Sequence, residues 1–261
     1  MLVRDAGDAW QIVLQTDHAD LSGQLAEAWG GPGFARPEPY APLVQAARRH
    51  DDGWAVWEQR PRLDGDGAPQ SFLTVPASVH LAFYRAGVEV IVDEDPAAGL
   101  LVSMHMSGLY RQRYDVMPSP PRELPDDVRD LVDAFVAQEE DRQVALRRIL
   151  AADEAWRWTS YALLQVFDVV SLYFGLADVE TGAPGACEAV PTTVGADPVR
   201  LAIEPLGPWR VRFDPYPFTL DPVPLTLRRR LVPKREWPDN DAFRADLAAA
   251  PFETVRLFAE R

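Results

Sequence analysis

The chain has 261 residues, 47% of them hydrophobic, enough to bury a substantial core in one large domain or in one domain with a small appendage. With 40 acidic and 26 basic residues the formal charge is -14, and no lysine precedes Lys234, so a general nucleic-acid binder is excluded for want of clustered cations. A single cysteine, Cys187, rules out a disulfide or a multi-thiolate zinc site within one chain.

The N-terminal residues are too polar for a signal peptide, and the most apolar window, Tyr161 to Ala177, carries Gln165 and Asp168. No membrane span is expected, and a cytoplasmic protein is the simplest expectation. Residues Trp10 to Leu14 alternate like a short strand. Asp17 or Thr16 is placed to cap a helix to about Trp29, which Gly30-Gly31-Pro32-Gly33 ends. A second helix is predicted over Ala41 to Asp52, a turn-rich loop over Glu58 to Gln70, and a third helix over Pro76 to Ala86. Further helices are predicted over Pro96 to Tyr114, Asp126 to Leu150 and Glu154 to Gly175. In the fifth helix, "QEEDRQVALRR" reads as a salt-bridged outer face.

Past a linker at Gly182 to Gly185 the period changes to two. "VRLAIEPLG", "WRVRFDP" and "LTLRRRLV" read as half-exposed antiparallel strands, followed by a short helix near Ala242 to Ala249 and a last strand, Thr254 to Phe258. The expected architecture is mainly α: a helical domain over 14–180, and a small antiparallel β subdomain over 185–261 completed by the N-terminal strand within 1–13. The two ends of the chain would then meet.

All four histidines, His18, His50, His80 and His105, fall in the helical part. Leu43, Ala46, Ala47 and His50 share one helical stripe, and Ala98, Leu101, His105 and Leu109 share another. Each alone reads most simply as a hydrogen-bonded core or surface residue. Several imidazoles directed into one core, however, cost stability unless each finds a partner, and a metal is an economical one. Asp168 is the only charged residue between Thr159 and Ala177, so it needs a cation or hydrogen-bond donors if it is buried. Asp51 and Asp52 lie at the expected end of the second helix, where the macrodipole disfavours carboxylates by up to roughly 1 kcal/mol. Either a bound dication or the neighbouring Arg48 and Arg49 would offset that.

The ordered set His18, His50-Asp51, His80, His105 and Asp168 resembles the HD-domain superfamily in its variant that binds two metal ions. "QTDHADLSGQLAEAW", "HDDGW" and "LLVSMHMSGLY" also resemble a bacterial family catalogued as a domain of unknown function, DUF3891. The HD resemblance covers about 14–180 and implies an HD-like helical bundle. It further implies that His18, His50, Asp51 and Asp168 hold one metal, with Asp51 bridging to a second held by His80 and His105. Two divalent transition metal ions (Fe, Mn, Ni or Zn) are the implied cofactors, and the partner is a small-molecule substrate. HD motifs often continue Gly-Lys, whereas Gly53 is followed by Trp54, so the usual substrate-binding cation is missing.

A metal-dependent phosphoester hydrolase is the leading expectation, with Asp51 bridging the metals and Asp52 or Asp168 orienting the nucleophile. A di-iron oxygenase of HD type is the alternative, and a non-catalytic metal-stabilised binding domain is the third. Trp54, with Trp57 beside it, and Arg111 and Arg113 are candidates for substrate contact, with Arg60 and Arg62 as further cations. The stretch "LRRRLV" reads as a solvated strand edge. Neither a phosphate-cradling glycine loop nor a Gly-x-Ser-x-Gly elbow is present.

Overall fold

The computed structural model describes residues 1–117, 125–151, 153–177, 182–193 and 196–261, apart from the side chain of Asp127. In chain order the elements are β1 (Leu2–Asp5), β2 (Ala9–Val13), α1 (Gln15–Ala28), α2 (Ala41–Arg49), α3 (Ala55–Glu58), α4 (Ala77–Glu94), α5 (Pro96–Arg111), α6 (Asp126–Leu150) and α7 (Glu154–Leu176). These are followed by β3 (Gly185–Val190), β4 (Val199–Gly207), β5 (Arg210–Asp214), β6 (Val223–Pro233), α8 (Asn240–Ala249) and β7 (Glu253–Glu260). Short 3-10 turns stand at Asp52–Trp54 and Phe72–Thr74.

Local chemistry accounts for several helix starts. The carboxylates of Asp95, Asp153 and Asp239 accept backbone N–H groups at the first turns of α5, α7 and α8, which satisfies donors that no helical carbonyl can reach. The expected Asp17 or Thr16 cap is not used. Instead α1 begins at Gln15, whose N–H donates to Glu58 at 2.7 Å, and Asp17 is buried 3.3 Å from Arg228. The second helix stops at Arg49, earlier than predicted, while α4 runs on to Glu94.

The fold differs from a mainly α protein with a small antiparallel β subdomain. About half of the chain is helical, and a mixed seven-stranded sheet draws strands from both ends in the order β1-β2-β6-β7-β5-β4-β3. Strand β7 is the reason. It lies antiparallel to β6 and parallel to β5, so it joins β1-β2-β6 to β5-β4-β3, two antiparallel three-stranded halves, into one sheet. Two strands, β1 and β3, lie outside the predicted set because one is short and the other, "GACEAV", lacks the β-branched alternation that marks strands.

The sheet curls, and both of its edge strands, β1 and β3, pack against α7. Where β1 crosses α7, a Cβ added to Gly175 would come within 2.3 Å of the end of the Leu2 side chain, which would have to shift, so glycine favours that close approach. Gln11 of β2 donates to the Gly175 carbonyl at 2.9 Å and fixes the same crossing. On the inner face, Leu201 and Ile203 of β4, Val211 and Phe213 of β5, Leu225 and Leu227 of β6 and Leu257 of β7 alternate with exposed neighbours, as a one-sided sheet requires. They belong to the same core cluster as the helices α1, α2, α5 and α7. A second, smaller cluster, including Ile12, Val232, Phe243 and Leu247, seats α8 on the opposite face. Helix α7 is apolar and long enough to cross a membrane, but 72% of its apolar window is buried inside the fold, as in the core helix of a soluble protein.

Leu257 is fully buried at the seam between the half-sheets. Leu257→Ala is expected to lower the free energy of unfolding by about 2–5 kcal/mol in a denaturant titration.

Candidate metal centre

The centre forms where α1, the end of α2, α5 and α7 meet. His18 lies one turn into α1, His50 follows the last residue of α2, His105 sits in α5 and Asp168 in the middle of α7; all are buried. One donor atom from each of His18, His50 and Asp168 lies within 4.8 Å of the other two. His50 Nε2 is 3.3 Å from Asp168 Oδ1, and His18 Nε2 is 2.9 Å from Asp51 Oδ2 and 3.8 Å from Asp168 Oδ1. His105 Nε2 is 3.9 Å from Asp168 Oδ2, and the His105 ring meets the edge of the His50 ring at 5.1 Å.

Hydrogen bonds behind these rings decide which nitrogen faces inward. His50 Nδ1 donates to the Ala47 carbonyl at 2.8 Å. The Ser171 hydroxyl donates to the Asp168 carbonyl at 2.8 Å, so at its 2.7 Å contact with His18 it accepts from Nδ1–H. Ser22 donates to the same Ser171 oxygen at 2.9 Å. Both Nε2 atoms therefore turn their lone pairs on carboxylate oxygens, an arrangement that calls for a cation between them, either a proton or a metal. His50 Nε2 has no geometrically sound hydrogen bond although it is fully enclosed. Imidazole and carboxylate donors with the second ring nitrogen anchored suit a divalent transition metal, so the donor set passes this test of fit.

The titration behaviour agrees. Burial works against a charged His50 ring, yet Asp51 and Asp168 outweigh it and push its pKa up to about 9. Burial would raise the carboxyl of Asp168, but the contacts with His50, His105 and His18 hold it far below the usual range, and Asp51 is lowered in the same way by His50 and His18. Burial lowers His105 to about 4, which keeps it neutral. Gln15 donates to Asp51 Oδ2 at 3.0 Å, and the Tyr114 hydroxyl donates to Asp168 Oδ2.

Other predicted residues are placed differently. His80 Nε2 contacts the Tyr110 hydroxyl, and its ring stacks on Tyr84 at 5.2 Å; it lines the same cavity as Asp51 and His105 but is not in the tight cluster. Asp52 faces away and pairs with Arg49 at 2.6 Å, while Asp51 turns inward, so adjacent aspartates answer the helix-end problem in two different ways. Trp54 is 1% exposed and packs among Trp57, His80, Phe83 and Tyr84. Gly53 brings the chain against α4, where a Cβ would meet the Phe83 carbonyl oxygen at 2.1 Å. Arg111 and Arg113 reach Glu140, at 3.3 and 3.7 Å, instead of the cavity. Arg60 and Arg62 line a separate apolar groove.

A cavity of about 370 Å³ opens beside the centre, with Gln15, His18, Asp51, His80, His105 and Asp168 exposed to it. Its remaining wall is mostly apolar or aromatic, with Phe72, Tyr84, Tyr110, Tyr114 and Leu172 prominent. Among the described residues that line it there is no arginine or lysine. Sequence reasoning missed Gln15, Ser22, Tyr110, Tyr114 and Ser171. Ser22 and Ser171 were accessible in principle, as small polar residues one helical turn beyond His18 and Asp168.

The molecule so defined is a protein of helices and a curled sheet with a buried imidazole and carboxylate centre. Residues 1–234 match the family model described as "Protein of unknown function (DUF3891)", and the chain belongs to that family. No curated protein and no solved structure matches it.

Because His50 carries a proton below about pH 9 in the metal-free centre, a metal must displace that proton. Apparent metal affinity is expected to rise by about tenfold per pH unit between pH 6 and 8 and to level off near 9, measurable by competition with a chromogenic chelator. Ser171→Ala, which frees the His18 ring, is expected to weaken metal binding by about 10–100-fold, and because it strands the buried His18 Nδ1–H it is also expected to destabilise the metal-free protein by about 1–3 kcal/mol in a denaturant titration. Gly53→Ala is expected to destabilise the fold by about 1–3 kcal/mol or more in a denaturant titration, because a backbone oxygen cannot move aside as a side chain can.

Proposed function

We propose that the protein is a metal-dependent enzyme acting on a small, largely apolar molecule, and that oxidation of that molecule is favoured over hydrolysis of a phosphoester. In this reading His18, His50, Asp51 and Asp168 hold the metal in the manner of the HD-domain superfamily, which the order of these residues along the chain resembles. The observation that carries the substrate class is the cavity wall, apolar and tyrosine-rich with no cationic side chain among its described residues. A phosphoester would bring further negative charge beside Asp51 and Asp168 that the metal alone would have to receive, with no arginine or lysine in the described wall to share it. An apolar substrate gains about 25 cal/mol per Å² of surface it removes from water, and it offers C–H bonds and no phosphoryl group.

A bound redox-active metal such as iron would supply the activation of dioxygen that such a bond requires, whereas Zn, Mn or Ni would polarise an ester oxygen. The chain's own residues do the rest. Tyr114 occupies one oxygen of Asp168 and so fixes which lone pairs that carboxylate presents. Gln15 does the same for Asp51. His80, held against Tyr110 and Tyr84, forms an aromatic wall that would orient the substrate, and neutral His105 lines the same cavity 3.9 Å from Asp168 Oδ2. In the two-metal form of this reading His80 and His105 take a second ion, and His80 lies outside the tight cluster. The first ion is therefore expected to be the more tightly held.

Metal analysis of protein purified without chelator tests the reading. Bound iron is expected, falling to background in His50→Ala and Asp168→Ala, with at least the first ion retained in His80→Ala. Oxygen uptake stimulated by apolar candidate substrates would support the oxidative reaction. A zinc, manganese or nickel protein that cleaves a generic phosphoester would replace it with the hydrolytic one. Full metal occupancy in both His50→Ala and Asp168→Ala would remove the centre altogether.

A further inference from the structure

A second cavity, of about 550 Å³, lies between α5, α6 and the start of α7, and shares no lining residue with the first. Its floor is built from buried residues: Gln143 donates to Ser103 at 3.1 Å and to Ser107 at 3.0 Å, and the Tyr161 hydroxyl donates to the Arg113 carbonyl at 2.6 Å. Three arginines, Arg113, Arg147 and Arg157, line it with two glutamates, Glu140 and Glu154. In a chain of net charge -14 this is a cavity with an excess of positive charge.

The arginines are only partly neutralised. Arg147 uses Nε on a carbonyl of its own helix, that of Gln143 at 3.1 Å, and pairs with no carboxylate among the described residues. Arg157 is 6% exposed; it reaches Glu154 through Nη2 at 3.0 Å, while its Nε is enclosed without a hydrogen-bond partner. Glu154 itself is largely exposed to solvent, and Glu140 is divided between Arg111 and Arg113. Burial, reinforced by the nearby charge of Arg147, lowers the pKa of Arg157, the direction expected when guanidinium groups converge with too little negative charge between them. A small oxyanion is the complement of such a set, because two guanidinium groups can grip its oxygens through charge-assisted hydrogen bonds.

We infer that this cavity binds a small oxyanion, a carboxylate or phosphate group, gripped by Arg147 and Arg157 with Arg113 at its rim. The site is independent of the metal centre and of the reaction assigned to it. The half-exposed Trp158 ring, over which the Arg157 guanidinium lies at 5.1 Å, forms one wall and gives the rest of the ligand an apolar surface.

The test is calorimetric titration of the full chain with inorganic phosphate and, separately, with succinate. Saturable binding of at least one of them is expected, and the comparison of the two tells which group the site prefers. The same binding is expected in His50→Ala, which separates it from any anion taken up at the metal centre. Arg147→Ala removes a half-buried side chain with no partner beyond its own helix, so it should fold normally and lose affinity by about tenfold or more. Arg148→Ala removes an equal charge at the neighbouring exposed position and should change affinity by less than about twofold. The inference is overturned if neither anion saturates below about 10 mM, if Arg147→Ala binds like the parent chain, or if binding disappears in His50→Ala.

Discussion

Two carboxylates, Asp51 and Asp168, are buried within reach of three imidazoles, and the surrounding structure is arranged around that fact. Taking a carboxylate out of water costs several kcal/mol unless a cation and hydrogen bonds replace the lost solvent. Donors from Gln15 and Tyr114 meet part of the demand, while the lone pairs of His18 and His50, turned toward the same space, leave the rest to a cation. Acceptors facing acceptors are stable only with positive charge among them, so the centre is built for a cation.

Holding the four contributing elements in register falls to the remainder of the fold. Helix α7 carries Asp168 and Ser171, and it is gripped by both edges of the curled sheet. Helix α1 is pinned at its first residue by Glu58 and carries His18 one turn later. The rings are fixed from behind by a backbone carbonyl and a serine pair, contacts that turn with the helices themselves.

Much of this is legible in the amino-acid sequence. Helices α5 and α7 begin where the sequence predicts them, at Pro96 and Glu154, and α6 begins and ends where periodicity places it. His50 and His105 on apolar stripes, and Asp168 alone in an apolar run, are polar residues in positions that only burial explains, and the structure brings these three together with His18 and Asp51. What stayed hidden depends on contacts distant in sequence. The parallel pairing of β7 with β5 has no local signal. Trp54 follows a glycine whose backbone crosses α4, so its indole enters the core instead of the cavity. Arg111 and Arg113 follow His105 closely in sequence, but Gln112 adopts a left-handed conformation with φ 53° at the end of α5. Helical spacing fails beyond that point: Tyr114 reaches Asp168 and Arg113 turns to Glu140, which Arg111 already meets from the last helical residue.

The central position of β7 has a consequence for biosynthesis. While a nascent chain is still short of residue 253, β5 and β6 each present a row of unpaired backbone groups, and no local hairpin can cover them. Helix α8 emerges just before the missing strand and already belongs against β2 and β6, so it can shield one face of the waiting half-sheet. The two half-sheets can join only once β7 is available to pair, and agents that recognise open strand edges would bind this protein most strongly in the interval before it.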